Sequence, residues 1–379
     1  MAKKIYLDYA AATPMDPKVL AVMEPYFSER FYNPSATYLA AQAIADDIAT
    51  ARSQAAHWLG SRPSEIVFTA GGTEANNLAL AGVMAAFPEA NLLVSAIEHE
   101  SIINPAAKHP HKVIKVLPDG RVDIADLVSK VDNQTVLVSV MYANNEIGTI
   151  EPIREIAKKL QEIRRERQKL GNKLPLYFHT DACQAAAYLD LHTSRLGVDL
   201  MTINGGKIYG PKQSGALYVK TGTKIQAQIL GGGQERGLRS GTENVAGTIG
   251  LSKALDLVQN RRQAETERIK QLQGLFISKL EELGPKVSIN GSRDHRLPNN
   301  VHVTFSGQDN ERLMMALDEV GIQCAVGSAC SASNEEPSHV LMAIGLSETQ
   351  AQASLRFSLG RQTTVADIRL TSKAIAQLL

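Results

Sequence analysis

Leu176-Tyr177-Phe178-His179-Thr180-Asp181-Ala182-Cys183-Gln184 and, further on, Leu200-Met201-Thr202-Ile203-Asn204-Gly205-Gly206-Lys207-Ile208-Tyr209-Gly210-Pro211-Lys212 decide the fold. In each stretch a short apolar, β-branched run ends abruptly on polar or glycine residues, as a core strand does where it leaves a sheet. An acid follows the first run and a lysine follows the second. Open α/β sheets gather their ligand-binding groups at the carboxyl ends of their strands. Working outward, similar runs occupy 65–68, 91–96, 113–116, 136–141 and 216–219, each followed by turn residues or a helix pattern. The alternation predicts an α/β fold with a mostly parallel central sheet.

Between the runs, Ile153, Ile156, Leu160 and Ile163 recur at helical spacing, with Pro152 suited to a first turn. The mixed-charge run 164–169 continues that helix and reads first as a solvated end, second as a docking surface. A long helical pattern through Ile269, Leu272, Phe276 and Leu280 leads to a strand at 300–305 and a helix at 311–320. We therefore expect a large domain over 15–255, and a smaller α+β domain built from 1–14 with 256–379.

A chain of 379 residues, 44% hydrophobic, can bury a large core and a smaller one. Its 40 basic and 39 acidic side chains nearly cancel, which removes the broad positive field of a nucleic-acid binder and favours a small-molecule ligand. No apolar run is long enough to span a bilayer, so no membrane role and a cytoplasmic location are expected. Cys183, Cys324 and Cys330 are too few and too unevenly spaced for a disulfide framework, and no Cys-x-x-Cys pair suggests a metal.

Ala70-Gly71-Gly72-Thr73-Glu74-Ala75-Asn76-Asn77 follows an expected strand and opens a helix. Its free N–H groups suit a phosphate, although a Gly-Gly turn also serves chain geometry alone. Asp181 could pair with a cationic ring nitrogen or cap a helix. Lys207, in a glycine-lined turn, could attack a carbonyl or lie solvated. The run from Ala325 to Ser338 sets Cys330 among small and polar residues between Gly327 and Pro337, which reads as an exposed loop whose thiol is as readily inert as reactive. Cys324 has apolar neighbours and reads as structural. Arg356, in Ser354-Leu355-Arg356-Phe357-Ser358, could clasp a carboxylate or sit in a buried ion pair.

Taken in order, these segments resemble the cysteine desulfurase branch of the class V aminotransferase family, with its type I pyridoxal-phosphate fold. The resemblance runs from Tyr6-Leu7-Asp8-Tyr9-Ala10-Ala11-Ala12-Thr13-Pro14 through Asn33-Pro34-Ser35, Glu98-His99 and Asn144-Asn145-Glu146-Ile147-Gly148 to Arg356-Phe357-Ser358-Leu359-Gly360-Arg361. It implies pyridoxal 5'-phosphate as cofactor. Lys207 would hold it covalently, Asp181 would pair with its ring nitrogen and His99 would stack on the ring. Gln184 and Asn145 would bond the ring oxygen and nearby groups, with Asn145 also near substrate. Gly72 and Thr73 would hold the phosphate with Thr242, from Arg239-Ser240-Gly241-Thr242-Glu243, crossing from the partner of a homodimer. Arg356 would bind the substrate carboxylate. Cys330 would take sulfur from free L-cysteine as a persulfide, leaving L-alanine, with His99 handling protons at the substrate thiol. The sulfur would pass to an acceptor protein, an iron–sulfur scaffold first and a tRNA thiolation enzyme second.

One departure stands out. Where the family has Ser-Gly-His-Lys, this chain has Asn204-Gly205-Gly206-Lys207. Two phosphate donors are replaced, partly offset by the Asn204 amide and by the closer backbone approach that Gly206 allows. A lost charge-assisted hydrogen bond costs about 1.5–3 kcal/mol, so looser cofactor binding is expected. Selenocysteine lyase or a related class V lyase is a second reading, and a weakened paralogue acting as a sulfur-transfer scaffold is a third.

Overall fold

Seven strands build the central sheet of the computed structural model, which describes residues 4–327 and 337–379. Cys330 lies outside the described residues. In chain order the strands are β1 (Ile5–Tyr6), β2 (Ile66–Thr69), β3 (Asn91–Ser95), β4 (His111–Ile114), β5 (Thr135–Ser139), β6 (Tyr177–Asp181), β7 (Leu200–Asn204), β8 (Gly215–Val219), β9 (Val287–Ile289), β10 (Asn300–Phe305), β11 (Ile322–Gln323) and β12 (Ser354–Ser358). The sheet runs β2-β8-β7-β6-β5-β3-β4, and β8 alone is antiparallel to its neighbours. The expected mostly parallel α/β sheet is therefore present.

Side chains alternate across this sheet, as the strand period of two requires. Val67, Leu92, Val94, Leu137, Leu200 and Leu217 pack on one face with Ala75, Leu78, Ala79 and Val83 of the Gly72–Ala86 helix. Phe68, Leu93, Val138, Phe178, Met201 and Ala216 enter the core on the other. Helices cover both faces, which is why the central strands read as continuous apolar runs. The run expected at 113–116 lies at His111–Ile114 instead, while Val116 makes an isolated bridge to Val122. This strand ends the sheet and is half exposed, so its apolar signal is weak.

A second, antiparallel sheet of order β12-β10-β9 carries Arg356 in its edge strand β12. The Val245–Glu281 helix spans both layers: Leu251, Ala254, Leu255 and Val258 are buried in its first half and Ile269, Leu272, Phe276 and Leu280 in its second. The domain boundary expected at 255/256 falls inside this helix. Among the described residues no helix is long and apolar enough to cross a membrane.

Glu151 supplies a pH test of the core. Its carboxyl is 2% exposed; Oε2 accepts the Val122 N–H at 2.8 Å while Oε1 has no partner. Burial pushes its pKa up to about 8, against the lowering effect of that hydrogen bond. The folded chain therefore holds a proton that the unfolded chain releases near the ordinary carboxylate value. Its contribution to stability is present below that value and is lost as pH rises through about 8. Glu151→Gln is expected to stabilise the fold at pH 8 by on the order of a few kcal/mol, raising the melting temperature, and to leave it nearly unchanged at pH 4.5. Equal effects at both pH values, in calorimetry, would refute the assignment.

Candidate active site

β2, β3, β5, β6 and β7 all direct their carboxyl ends toward one edge of the sheet, and the candidate residues hang from those ends. Gly72 and Thr73 open the helix after β2, His99 caps the Glu100–Ala106 helix after β3, and Asn145 follows β5. Asp181 ends β6, Asn204 ends β7, and Lys207 closes the 3₁₀ turn Gly205–Lys207. Together with Gln184 and Arg356 they line one cavity of about 140 Å³. Gly206 lines a neighbouring cavity of about 470 Å³, which shares Gly72, Thr73, Asn204 and Lys207 with the first. Thr242 lines a third, with Arg239 and Thr248, and is not brought to Lys207 within this chain.

The N-terminal segment forms a wall of the site. Lys207 Nζ donates to the carbonyls of Ala10 at 2.9 Å and Ala11 at 2.6 Å, and Gln184 Nε2 donates to Ala10 at 3.0 Å. Thr13 locks the lysine turn: its N–H and hydroxyl both donate to the Gly206 carbonyl, and Oγ1 accepts the Tyr209 N–H.

Asp181 accepts from the Cys183 N–H at 2.8 Å on one oxygen and from Asn76 Nδ2 at 2.7 Å on the other. Two residues earlier on β6, His179 is wholly buried between Ser139 and Thr202, and burial pulls its pKa down to about 4. It stays neutral behind the carboxylate. His99 Nδ1 accepts the Ser101 N–H at 3.1 Å and lies 2.9 Å from Ser101 Oγ. An acceptor at Nδ1 places the proton of the neutral ring on Nε2.

Of the two readings left open by the sequence, the described contacts of Arg356 are those of a buried ion pair. It is 2% exposed, donating to Asp8 Oδ1 at 2.7 Å and to the Asn145 carbonyl at 3.1 Å. It also lines the Lys207 cavity, and its Nε–H has no partner. Cys183 lines the same cavity, and burial, reinforced by Asp181, pushes its thiol well above the ordinary range. Cys324 packs against the main core, and burial raises it to about 12. Neither thiol supplies a thiolate at neutral pH.

Asn76 escaped the sequence reading although it stands in the quoted glycine-rich segment. Spacing shows that it lies one turn into the helix from Gly72, but not that its side chain turns inward to Asp181.

A family model described as Aminotransferase class-V matches residues 5–370. The chain belongs to the class-V aminotransferase family. It is 40% identical to the cysteine desulfurase IscS of Dictyoglomus turgidum, over 100% of this chain and 95% of that one. A solved structure described as a NifS-like protein superposes with a TM-score of 0.91 at 29% identity, covering 99% of each chain. Another, SspA in complex with cysteine, gives 0.82 at 34% identity, covering 94% of this chain and 99% of that one.

The family's cofactor is pyridoxal phosphate, and the residues present fit it. A fixed carboxylate, a lysine amine and a half-buried imidazole face one cavity. Gly72 leaves room beside them: a Cβ there would come within 2.9 Å of Cys183 Sγ. The N-terminal N–H groups of the Gly72–Ala86 helix lie at the second cavity, where a phosphate would be held.

The altered lysine turn has a specific geometry. Asn204 Oδ1 accepts the Gly206 N–H at 2.9 Å, so that N–H caps the turn instead of reaching toward an anion. A Cβ on Gly206 would meet Asn204 Oδ1 at 3.4 Å and Lys212 Cγ at 3.7 Å, which is ordinary contact. The position therefore admits a Cβ, and Gly206→His is expected to tighten binding of pyridoxal phosphate to the cofactor-free protein about tenfold or more, by one charge-assisted hydrogen bond. Unchanged affinity in a cofactor titration would show that the turn already satisfies the phosphate.

Proposed function

We propose that this chain is a pyridoxal-phosphate-dependent cysteine desulfurase that converts L-cysteine to L-alanine and keeps the sulfur as a persulfide on Cys330. The observation that carries the proposal is the convergence of Lys207 and Asp181 on one cavity with His99 and Arg356, in a chain that matches curated cysteine desulfurases along its whole length. The cofactor supplies an electron-accepting ring. Each remaining role falls to a side chain. Asp181 would pair with the ring nitrogen, Gln184 and Asn145 would orient ring and substrate, and Gly72, Thr73 and Asn204 would hold the phosphate. Arg356 has an unpartnered Nε–H for the substrate carboxylate, with Asp8 holding the guanidinium in place. Lys207 would hold the cofactor and, with substrate in place, serve as the base that moves the Cα proton. His99 offers its Nε2–H at the substrate sulfur. Cys330 thiolate then attacks that sulfur: the new S–S bond forms as the C–S bond breaks, and its electron pair, with a proton, stays with the carbon that becomes the alanine methyl.

The described residues flanking Cys330 support its access to this site. Ala325 exchanges both backbone hydrogen bonds with Arg356, and Ser338 Oγ donates to Glu146, next to Asn145. Ala325 and Ser338, described residues on either side of Cys330 in the sequence, thus both lie beside groups of this site. The proposal extends to a cytoplasmic homodimer, in which Thr242 reaches the partner's phosphate site, and to an iron–sulfur scaffold as sulfur acceptor.

The wild-type protein, given pyridoxal phosphate, cysteine and a reductant, is expected to show the visible absorption of a lysine-bound cofactor and to form alanine and sulfide in equal amounts. Absence of the absorption would remove the cofactor assignment. Alanine formed without sulfide would remove the desulfurase assignment.

A further inference from the structure

Asn76 belongs to no role assigned so far, yet it is 1% exposed and its side chain lines the Lys207 cavity. Its amino group makes two bonds at once, to Asp181 Oδ2 at 2.7 Å and to Ser101 Oγ at 2.8 Å. Ser101 Oγ, having accepted from Asn76, has its own proton for His99 Nδ1 at 2.9 Å. The directions are forced. An ionised Asp181 only accepts, so the amide must turn its amino group inward; an amino group only donates, so Ser101 must accept from it. Asn76 Oδ1 is left buried without a partner, a cost that the bond to the carboxylate outweighs.

We infer that Asn76 is a positioning residue that couples Asp181 to His99 through Ser101. The charge on Asp181 sets the amide, the amide occupies one acceptor position of the serine hydroxyl, and the hydroxyl proton joins the Ser101 N–H in holding His99 Nδ1 as an acceptor. The His99 ring consequently presents Nε2–H to the cavity, the donor form used at the substrate sulfur. Reversing the chain would turn Asn76 Oδ1 toward the Asp181 carboxylate. Other ionisable groups line the same cavity, namely Lys207, Arg356 and Cys183, and Glu98 lies buried beside His99. A direct field from Asp181 or from these groups would act on His99 whether or not Asn76 is present.

That difference gives the test. Full-length protein labelled with ¹⁵N-histidine, with and without pyridoxal phosphate, reports the His99 Nδ1 resonance, identified by its loss in His99→Gln. Asp181→Asn is expected to displace this resonance in the wild-type background. In the Asn76→Ala background the same change is expected to move it by roughly a third as much or less, as a double-mutant cycle reads a coupling. Ser101→Ala cuts the next link with a smaller loss of volume and must remove the coupling too, which guards against a misfolded Asn76 variant. Equal displacement in all backgrounds would show a through-space effect and overturn the inference, as would no displacement in any. Because the cofactor-free protein also reports, the result stands apart from whether cysteine is the substrate.

Discussion

Lys207→Ala is expected to lower alanine and sulfide formation by about 10⁴-fold or more, and to abolish the visible absorption of lysine-bound cofactor, while non-covalent binding of pyridoxal phosphate persists. Lys207 is the one lysine lining the central cavity among the described residues; Lys212 lines only the neighbouring one. The backbone places the amine before any cofactor arrives. β7 and the turn Gly205–Lys207 set its root, Thr13 ties down the Gly206 carbonyl, and Ala10 and Ala11 receive its ammonium. Alanine removes both the covalent attachment and the base that would move the Cα proton. Asp181, His99 and the helix N-terminus remain, so affinity falls much less than turnover. Methylamine added to the variant is expected to restore a small part of the rate, since a diffusing amine lacks the effective concentration of a tethered one. Turnover within tenfold of wild type would exclude Lys207 as the cofactor lysine.

The same turn shows how far the sequence carried. A strand leading into Asn204-Gly205-Gly206-Lys207 was legible because Leu200, Met201, Thr202 and Ile203 of β7 are all buried and three of the four are apolar. The order of glycine turn, acid and lysine along the chain was legible for a related reason: parallel strands deliver their ends to one edge, so residues distant in sequence meet there. Directions of side chains were not legible. Nothing in the spacing of Asn204 shows that its oxygen takes the Gly206 N–H, or that Asn76 turns in to bridge Asp181 and Ser101. Arg356 was found as a residue but not as part of β12, since a short strand in a small antiparallel sheet has little periodic signal. Asp8, its ion-pair partner, was quoted without a role because its contact lies across almost the entire chain.

Cys330→Ala is expected to eliminate the enzyme-bound persulfide and to lower sulfide formation by about 10³-fold or more, whereas Cys183→Ala stays within roughly threefold of wild type. The contrast rests on thiolate supply. Cys183 stands nearer the cofactor site than any other described thiol, lining the cavity with Lys207, and proximity alone would make it the rival nucleophile. Its surroundings deny it that role. Burial and the adjacent Asp181 carboxylate both favour the protonated thiol, and the opposing effect of Lys207 is smaller. Cys324 is held protonated in the same way, by burial and then by Asp8. A nucleophile at neutral pH needs a thiolate, so a sulfur lifted from cysteine has no competent acceptor at either position. Alkylation of the cysteine-treated protein followed by peptide mass analysis reads the site directly: the added sulfur is expected on the peptide containing Cys330 and absent from that containing Cys183. Equal sulfide from wild type and Cys330→Ala would sink the assignment, and added sulfur on Cys183 would show that its thiol ionises once cofactor and substrate are bound.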